Sequence, residues 1–315
     1  MAGIYLHIPF CKQACHYCNF HFSTSLKVKE DLVRALTKEI EIRKDYLDDE
    51  KIQTVYFGGG TPSLLSEKDL ELIFDSIHKY HNVQDNVEVT LEANPDDIDS
   101  EKLTTWKKQG VNRLSIGIQS FFEEDLVWMN RAHNGEQANR SLRLAQDYSF
   151  TNITADLIYG LPHGHWQENI EQMINFGIPH ISSYALMVEE KTALHHFVKT
   201  GKTTLPKDEK AAIDYQVLCH ELKKAGYAHY EISNFAKEGF RSQHNASYWK
   251  GVPYLGIGPS AHSFDGKNRQ WNVANNAQYI KNVNSNLSFS EQEVLSNSDR
   301  YNEYVMTGLR KAEGI

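Results

Sequence analysis

The sequence predicts an α/β protein: an open, partial (β/α)6 barrel over residues 1–190 and a smaller C-terminal α/β extension over 191–315. Three observations lead there. Strand-like and helix-like patterns alternate six times before residue 190, which calls for parallel strands joined by crossover helices. Polar and glycine residues recur at the C-terminal ends of those strands: residues 11–18 and 58–61, Glu92, Gln119, Asp156 and Glu189. That is where a βα barrel collects its chemistry. Eight repeats that would close a barrel are absent, and so is the Gly-x-Gly-x-x-Gly fingerprint of a doubly wound dinucleotide fold after the first strand.

The first strand, 4–8, is stopped by Pro9, which breaks a hydrogen-bond ladder. Cys11, Cys15 and Cys18 follow. Three soft thiolates so close in sequence suit one compact thiophilic centre. Structural zinc wants four ligands, and a haem attachment site needs histidine after Cys-x-x-Cys, where this chain has Asn19. That leaves an iron–sulfur cluster on three cysteines, with one iron open to a non-protein ligand. The plainer reading, three core cysteines, fits poorly with the interleaved Lys12, His16 and Asn19.

An amphipathic helix is expected over 29–47, with Leu32, Leu36, Ile40 and Leu47 on one stripe. A β-branched and aromatic strand over 52–57 runs into three glycines, Thr61 and Pro62. This is no P-loop, because the Lys-Ser/Thr pair is missing. Ser66 and Ser100 are read as caps of the next two helices. Strands over 87–91, 114–118, 153–159 and 181–186 end near Glu92, Gln119, Asp156 and Glu189. Beyond 190 the rhythm changes to a long helix over 207–225, a strand over 227–232, two histidine-bearing motifs, and a final capped helix over 296–315. That last helix lacks an evident packing partner, so the C-terminal module is expected to be truncated. Cys219, at the edge of the long helix's apolar stripe, is read as core packing.

With 40% hydrophobic residues the chain can bury a sizeable core. A net charge of -8 argues against a general grip on nucleic acid through phosphate neutralisation. No cationic leader followed by a long apolar run is readable, and no run of 18 apolar residues marks a membrane span. Three clustered cysteines and one distant one suit a reducing compartment, so a cytoplasmic location is expected.

Cys-x-x-x-Cys-x-x-Cys just after a first strand resembles the radical S-adenosylmethionine (SAM) proteins. Further stretches extend the resemblance to the coproporphyrinogen oxidase branch over essentially the whole chain. They are Tyr-Leu-His-Ile-Pro-Phe-Cys (5–11), Phe-Gly-Gly-Gly-Thr-Pro (57–62), Glu-Ala-Asn-Pro (92–95), Ser-Ile-Gly-Ile-Gln-Ser-Phe (115–121), Asn-Arg-Ala-His (130–133) and Asp-Leu-Ile-Tyr-Gly-Leu-Pro (156–162). The resemblance implies that Cys11, Cys15 and Cys18 ligate a 4Fe–4S cluster whose open iron is chelated by SAM, with Tyr5 and Tyr17 beside it. Gly59, Gly60 and Thr61 would meet the methionine end. Glu92, Gln119, Arg131 and Asp156 would hold the rest of SAM, with Ala185 near the adenine.

Two sub-families divide that branch. The decarboxylating oxidases carry a fourth cysteine two residues after the third, where this chain has Phe20, and an N-terminal extension, whereas here the first strand begins almost at once. The HemW-like haem chaperones have Cys-x-x-x-Cys-x-x-Cys-x-Phe and His-Asn-x-x-Tyr-Trp, and both stand here, the second with His244, Tyr248 and Trp249. Imidazole is a good axial donor to haem iron and aromatic rings suit the macrocycle's faces. His244 is therefore the expected haem ligand and His262 the weaker candidate. The resemblance implies a protein that binds a 4Fe–4S cluster, SAM and haem and passes haem to a respiratory haem protein. A flavodoxin, a ferredoxin or reduced nicotinamide would supply electrons. Oxygen-independent oxidation of coproporphyrinogen III is the alternative. No catalytic residue is assigned.

Overall fold

A computed structural model describes all 315 residues. Six strands come first: β1 (Ala2–Ile8), β2 (Ile52–Gly59), β3 (Val83–Ala93), β4 (Arg113–Gln119), β5 (Asn152–Tyr159) and β6 (His180–Ala185). They pair in parallel with their sequence neighbours, as the alternation requires. The crossovers are α1 (Lys29–Ile42), α2 (Glu67–Tyr80), α3 (Ser100–Lys108), the pair α4 (Glu123–Trp128) and α5 (Gly135–Asp147), and α6 (Trp166–Phe176). The sheet does not close, so the architecture is the expected open partial barrel.

The extension adds α7 (Ala193–Lys199), α8 (Asp208–Lys224), β7 (Ala228–Glu231), β8 (Asn234–Ala236), α9 (Gln243–Trp249), β9 (Tyr254–Ile257), β10 (His262–Phe264), β11 (Asn268–Asn272), α10 (Asn276–Asn284), β12 (Ser290–Val294) and α11 (Asn297–Gly308). Its strands lengthen the same sheet at both edges, in the order β12-β11-β10-β9-β1-β2-β3-β4-β5-β6-β8-β7. β9 runs parallel to β1, while β8 lies antiparallel to β6. A buried carboxylate fastens this addition to the first helix. Glu39 of α1 accepts from the Gly258 N–H (2.8 Å), the Asn272 amide (2.8 Å) and the Tyr279 hydroxyl, beside Arg43 at 3.5 Å. Burial raises its pKa, against the pull of Arg43 and these donors.

Side chains alternate along β1–β6 with period two. One set, including Ile4, Leu6, Val55, Phe57, Leu91, Leu114, Ile116, Ile153, Leu157 and Ile181, joins the main core. The other set is polar and shares the opposite face, the barrel's lumen: Tyr5 and His7, Thr54 and Tyr56, Glu88, Thr90 and Glu92, Arg113 and Ser115, Thr154 and Asp156, His180 and Ser182. The lumen is thus lined with groups that need hydrogen-bond partners.

Several local readings shift by a residue or a turn. Ser66 does cap α2, in a capping box with Asp69, and Ser296 caps α11 in the same way with Asp299. The cap of α3 is Asp99, whose carboxylate accepts from the Lys102 N–H; Ser100 is the first helical residue instead. α1 ends at Ile42, earlier than the expected 47; turns follow, with positive φ at Asp48 and Asp49, and Leu47 stays buried. The closing helix stops at Gly308, well short of residue 315. Cys219 packs half-buried against the main core, as its helical stripe suggested.

Candidate functional site

The loop after β1 is pinned on every side. Cys11 N–H donates to the Ser23 carbonyl at 3.1 Å, and Ser23 N–H to Pro9 at 2.9 Å. Lys12 bridges Asp96 (2.8 Å) and Asp97 beyond β3. The Gln13 amide donates to Asn130 Oδ1 (2.7 Å), and Asn130 answers with a bond to the Ala14 carbonyl (2.8 Å). His16 receives the Leu194 N–H of α7 at 2.7 Å and sets its Nδ1 2.8 Å from the Trp128 carbonyl. Such a net fixes the path of the loop.

Cys11, Cys15 and Cys18 are free thiols, half-buried on this one loop. Burial pushes the Cys11 thiol up to about 11, and burial raises Cys18 as well; neighbouring thiols add to both. No group of three or more ligating side chains closes tightly on a single metal ion. Three unpaired thiols that feel each other's charge without converging on one atom suit a centre wider than one ion. That is the chemistry of an iron–sulfur cluster.

The strand ends bring most of the expected polar set to the same mouth. Arg131 Nη1 lies 3.4 Å from both Cys15 Sγ and the Tyr17 hydroxyl, while Nη2 donates to Asn94 Oδ1 (2.8 Å) and the Gly117 carbonyl (2.9 Å). Arg131 therefore ties the cysteine loop to β3 and β4, and only its Nε is left buried without a partner. Tyr17 packs on Leu126, Met129, Ile158 and Leu161. Glu92 accepts from the Tyr56 hydroxyl at 2.8 Å. Its carboxyl is pushed up to about 7 by burial, which outweighs that hydrogen bond, with nearby Asp156 adding to the rise. Asp156, 3.5 Å from the Ser115 hydroxyl, is raised to about 6 by burial. Two lumen carboxyls poised to ionise near neutrality would be stabilised in that form by a cationic ligand. Gln119 holds φ at +64°, a strained conformation for a residue with a side chain, of the kind that gathers at functional sites. Ala185 closes β6 opposite Tyr159.

The glycines have a structural use of their own, beside any contact with a ligand. A Cβ on Gly59, at φ +103°, would lie 2.6 Å from the His7 ring; one on Gly60 would meet the Phe10 and Ile8 carbonyl oxygens at 2.6 and 2.8 Å. Their bareness makes room for this protein's own chain at the start of the cysteine loop. Thr61 is buried and accepts from the Asn94 amide at 3.2 Å. Asn94 was missed as a pivot, although it stands inside the Glu-Ala-Asn-Pro stretch. Arg113, Ser115, Thr154 and Ser182 were missed too; their signal was the strict alternation of polar and apolar residues along each strand.

The expectation that His244 offers haem a free nitrogen needs correcting. His244 is 1% exposed, with Nδ1 2.8 Å from Thr54 Oγ1 and Nε2 2.9 Å from the Tyr248 hydroxyl. Its N–H is held by Glu88, and its ring stacks on Tyr56 at 4.9 Å. Burial lowers its pKa to about 3. Both nitrogens are spoken for, because α9 plugs the barrel where the strands begin. Tyr248 is part of that plug, and half-buried Trp249 lies beneath the Arg310 guanidinium, 5.9 Å away.

A model of the "Radical SAM superfamily" matches residues 5–177, and curated relatives match from end to end. The "Heme chaperone HemW" of Bacillus subtilis (strain 168) is 35% identical over 100% of this chain and 85% of its own length. The chain belongs to the radical SAM superfamily and, within it, to the HemW family. The protein of the same name from Escherichia coli (strain K12) is 36% identical over 82% of this chain and 69% of its own. The zebrafish (Danio rerio) "Radical S-adenosyl methionine domain-containing protein 1, mitochondrial" is 33% identical, over 100% and 74%. Among solved structures, coproporphyrinogen III oxidase (HemN) from Escherichia coli superposes with a TM-score of 0.85 at 22% identity, over 98% of this chain and 75% of that one. At that identity the likeness establishes the fold. Membership in the radical SAM superfamily implies a 4Fe–4S cluster and SAM, and the three-thiol loop with its strand-end carboxyls fits both.

Proposed function

We propose that this protein is a radical SAM-type haem chaperone. Residues 1–190 would carry the cluster and SAM, and the 191–315 extension would complete a haem site and help hand haem to a recipient protein. Cys11, Cys15 and Cys18 would hold the 4Fe–4S cluster. Glu92, Gln119, Arg131 and Asp156, with Tyr5, Tyr17, Thr61 and Ala185, would surround SAM. The bound cluster would supply single electrons, from a flavodoxin, a ferredoxin or reduced nicotinamide. A membrane-associated respiratory haem protein is the recipient we favour, with the chaperone itself in the cytoplasm. No helix is long and apolar enough to cross a membrane.

The observation that carries this reading is the full-length match to proteins named heme chaperone, joined to Phe20 at the position where the oxidases have cysteine. Phe20 is 67% exposed beside the cysteine loop and offers no thiolate. The test is anaerobic cluster reconstitution followed by ferric haem titration, with a parallel assay for vinyl product from coproporphyrinogen III. A Soret band without vinyl product supports the chaperone. Decarboxylation by the wild-type protein would overturn it.

A further inference from the structure

We propose that His262 is the axial nitrogen donor for haem iron, in a cavity where the cysteine loop meets the C-terminal edge of the sheet. The proposal rests on the haem-binding reading above and names the residue through which it acts. The cavity measures about 370 Å³, within the range of small-molecule sites, and opens to solvent. Tyr5, His7, Phe20, His21, Ser260 and His262 line it, with Glu92 and Gly59 on the wall it shares with the proposed SAM site.

Three imidazoles face this space, and their hydrogen bonding separates them. His7 is buried, with Nδ1 3.2 Å from the Tyr5 hydroxyl and Nε2 2.9 Å from the His21 carbonyl. His21 Nε2 sits 2.7 Å from Asn276 Oδ1 of α10. His262 is exposed, and its ring stays outside the hydrogen-bond network that fixes its own loop. It lies tilted at 34° to Trp271, centroids 6.3 Å apart, across the β10–β11 pair. An iron donor has to present a free lone pair to open space, and of the three His262 does so best. Phe20, exposed and lining the same cavity, supplies an aromatic face for a flat macrocycle.

The backbone beneath His262 is rigid, which keeps a ligand's position from costing order on binding. Gly258 N–H and the Asn272 amide both converge on Glu39, and Asn272 also donates to the Gly258 carbonyl at 2.8 Å. Ser260, at φ +66°, donates its N–H to Val273 at 3.1 Å, and Asn272 N–H reaches Ala261 at 2.9 Å. Ser263 Oγ receives the Gly256 N–H at 2.9 Å. A strained residue locked this firmly next to an open imidazole marks a presented side chain rather than a loose loop.

The experiment is a ferric haem titration of the full chain, followed by its Soret spectrum, for wild type, His262→Ala, His262→Gln and Phe20→Ala. Both His262 variants should bind on the order of tenfold more weakly or worse, with the Soret band displaced, and free imidazole should return the band of His262→Ala to the wild-type position. Phe20→Ala should lose affinity while keeping the wild-type band. Wild-type affinity and an unmoved band in both His262 variants would overturn the assignment while the haem reading stands. A wild-type protein that binds no haem would overturn that reading, and the assignment with it.

Discussion

Two histidine–aromatic clusters occupy opposite ends of the barrel's lumen, and they differ in what remains unpaired. At the end where the strands begin, His244 stacks on Tyr56, meets Tyr248 edge-on and spends both nitrogens on Thr54 and Tyr248. At the end where the strands finish, His262 and Phe20 face an open cavity beside three free thiols. Tyr5 stands between the two, stacked over His244 at 6.3 Å and bonded through its hydroxyl to His7. The same residue types thus make a plug at one end and line an open cavity at the other. Residue type alone does not distinguish them; the count of satisfied donors and acceptors does.

The largest expected effect lies at the mouth. Replacing Cys11, Cys15 or Cys18 by Ala should abolish the broad charge-transfer absorbance of the reconstituted cluster, whereas Cys219→Ala should keep it. Loss of the cluster in a folded Cys219→Ala protein would mean that the mouth does not supply the whole ligand set.

Gly60→Val comes next. With carbonyl oxygens at 2.6 and 2.8 Å from the new Cβ, the loop has to move, at a cost of about 3 kcal/mol or more. The variant should melt lower and reconstitute poorly even without SAM. A normal melt combined with weakened SAM binding would show that the glycine serves the ligand after all.

The order of these effects also shows what was legible in the sequence. The six alternations, the cysteine loop and the strand-end residues could be read from local patterns, because each depends on neighbours in the chain. The roles of Gly60 and His244 depend on partners that distant strands deliver: β1 lies against β2, and α9 lies beneath Thr54 and Glu88. The parallel docking of β9 on β1 is a pairing between residues 254–257 and 3–6 that no local pattern specifies. The polar lumen, by contrast, is a local signal, carried by the alternation of residues such as Arg113-Leu114-Ser115-Ile116.

A smaller effect separates the lumen's middle from its ends. Asp156→Ala should weaken SAM binding by about 1–3 kcal/mol, the scale of a lost polar contact in a closed site, with little change in the melt. Equal SAM affinity in isothermal titration would move the ligand away from β5.

A further effect is one of pH on the ligand-free protein. The Glu92 carboxyl rises from 4.5 to about 7 on folding, so ionising it opposes the fold. Its contribution is most favourable below 4.5 and is lost as pH rises through 7. Glu92→Gln, which still accepts from Tyr56, should therefore melt above wild type at pH 8, by on the order of 1–3 kcal/mol. The gap should close toward pH 4.5. A gap independent of pH would trace the gain to packing instead.

The contrast between the two ends is tested most directly by His244→Gln, titrated with ferric haem beside the wild type. His244, held neutral with a pKa of about 3, contributes stability that is full above 6.5 and lost as pH falls below it. The variant should accordingly show a shallower loss of stability below pH 6.5 and a lower melt at neutral pH, by about 1–3 kcal/mol for the hydrogen bonds it disrupts. Its haem affinity and Soret band, measured well below that melt, should match the wild type. A folded His244→Gln protein that loses or shifts the Soret band would contradict the division into plug and mouth.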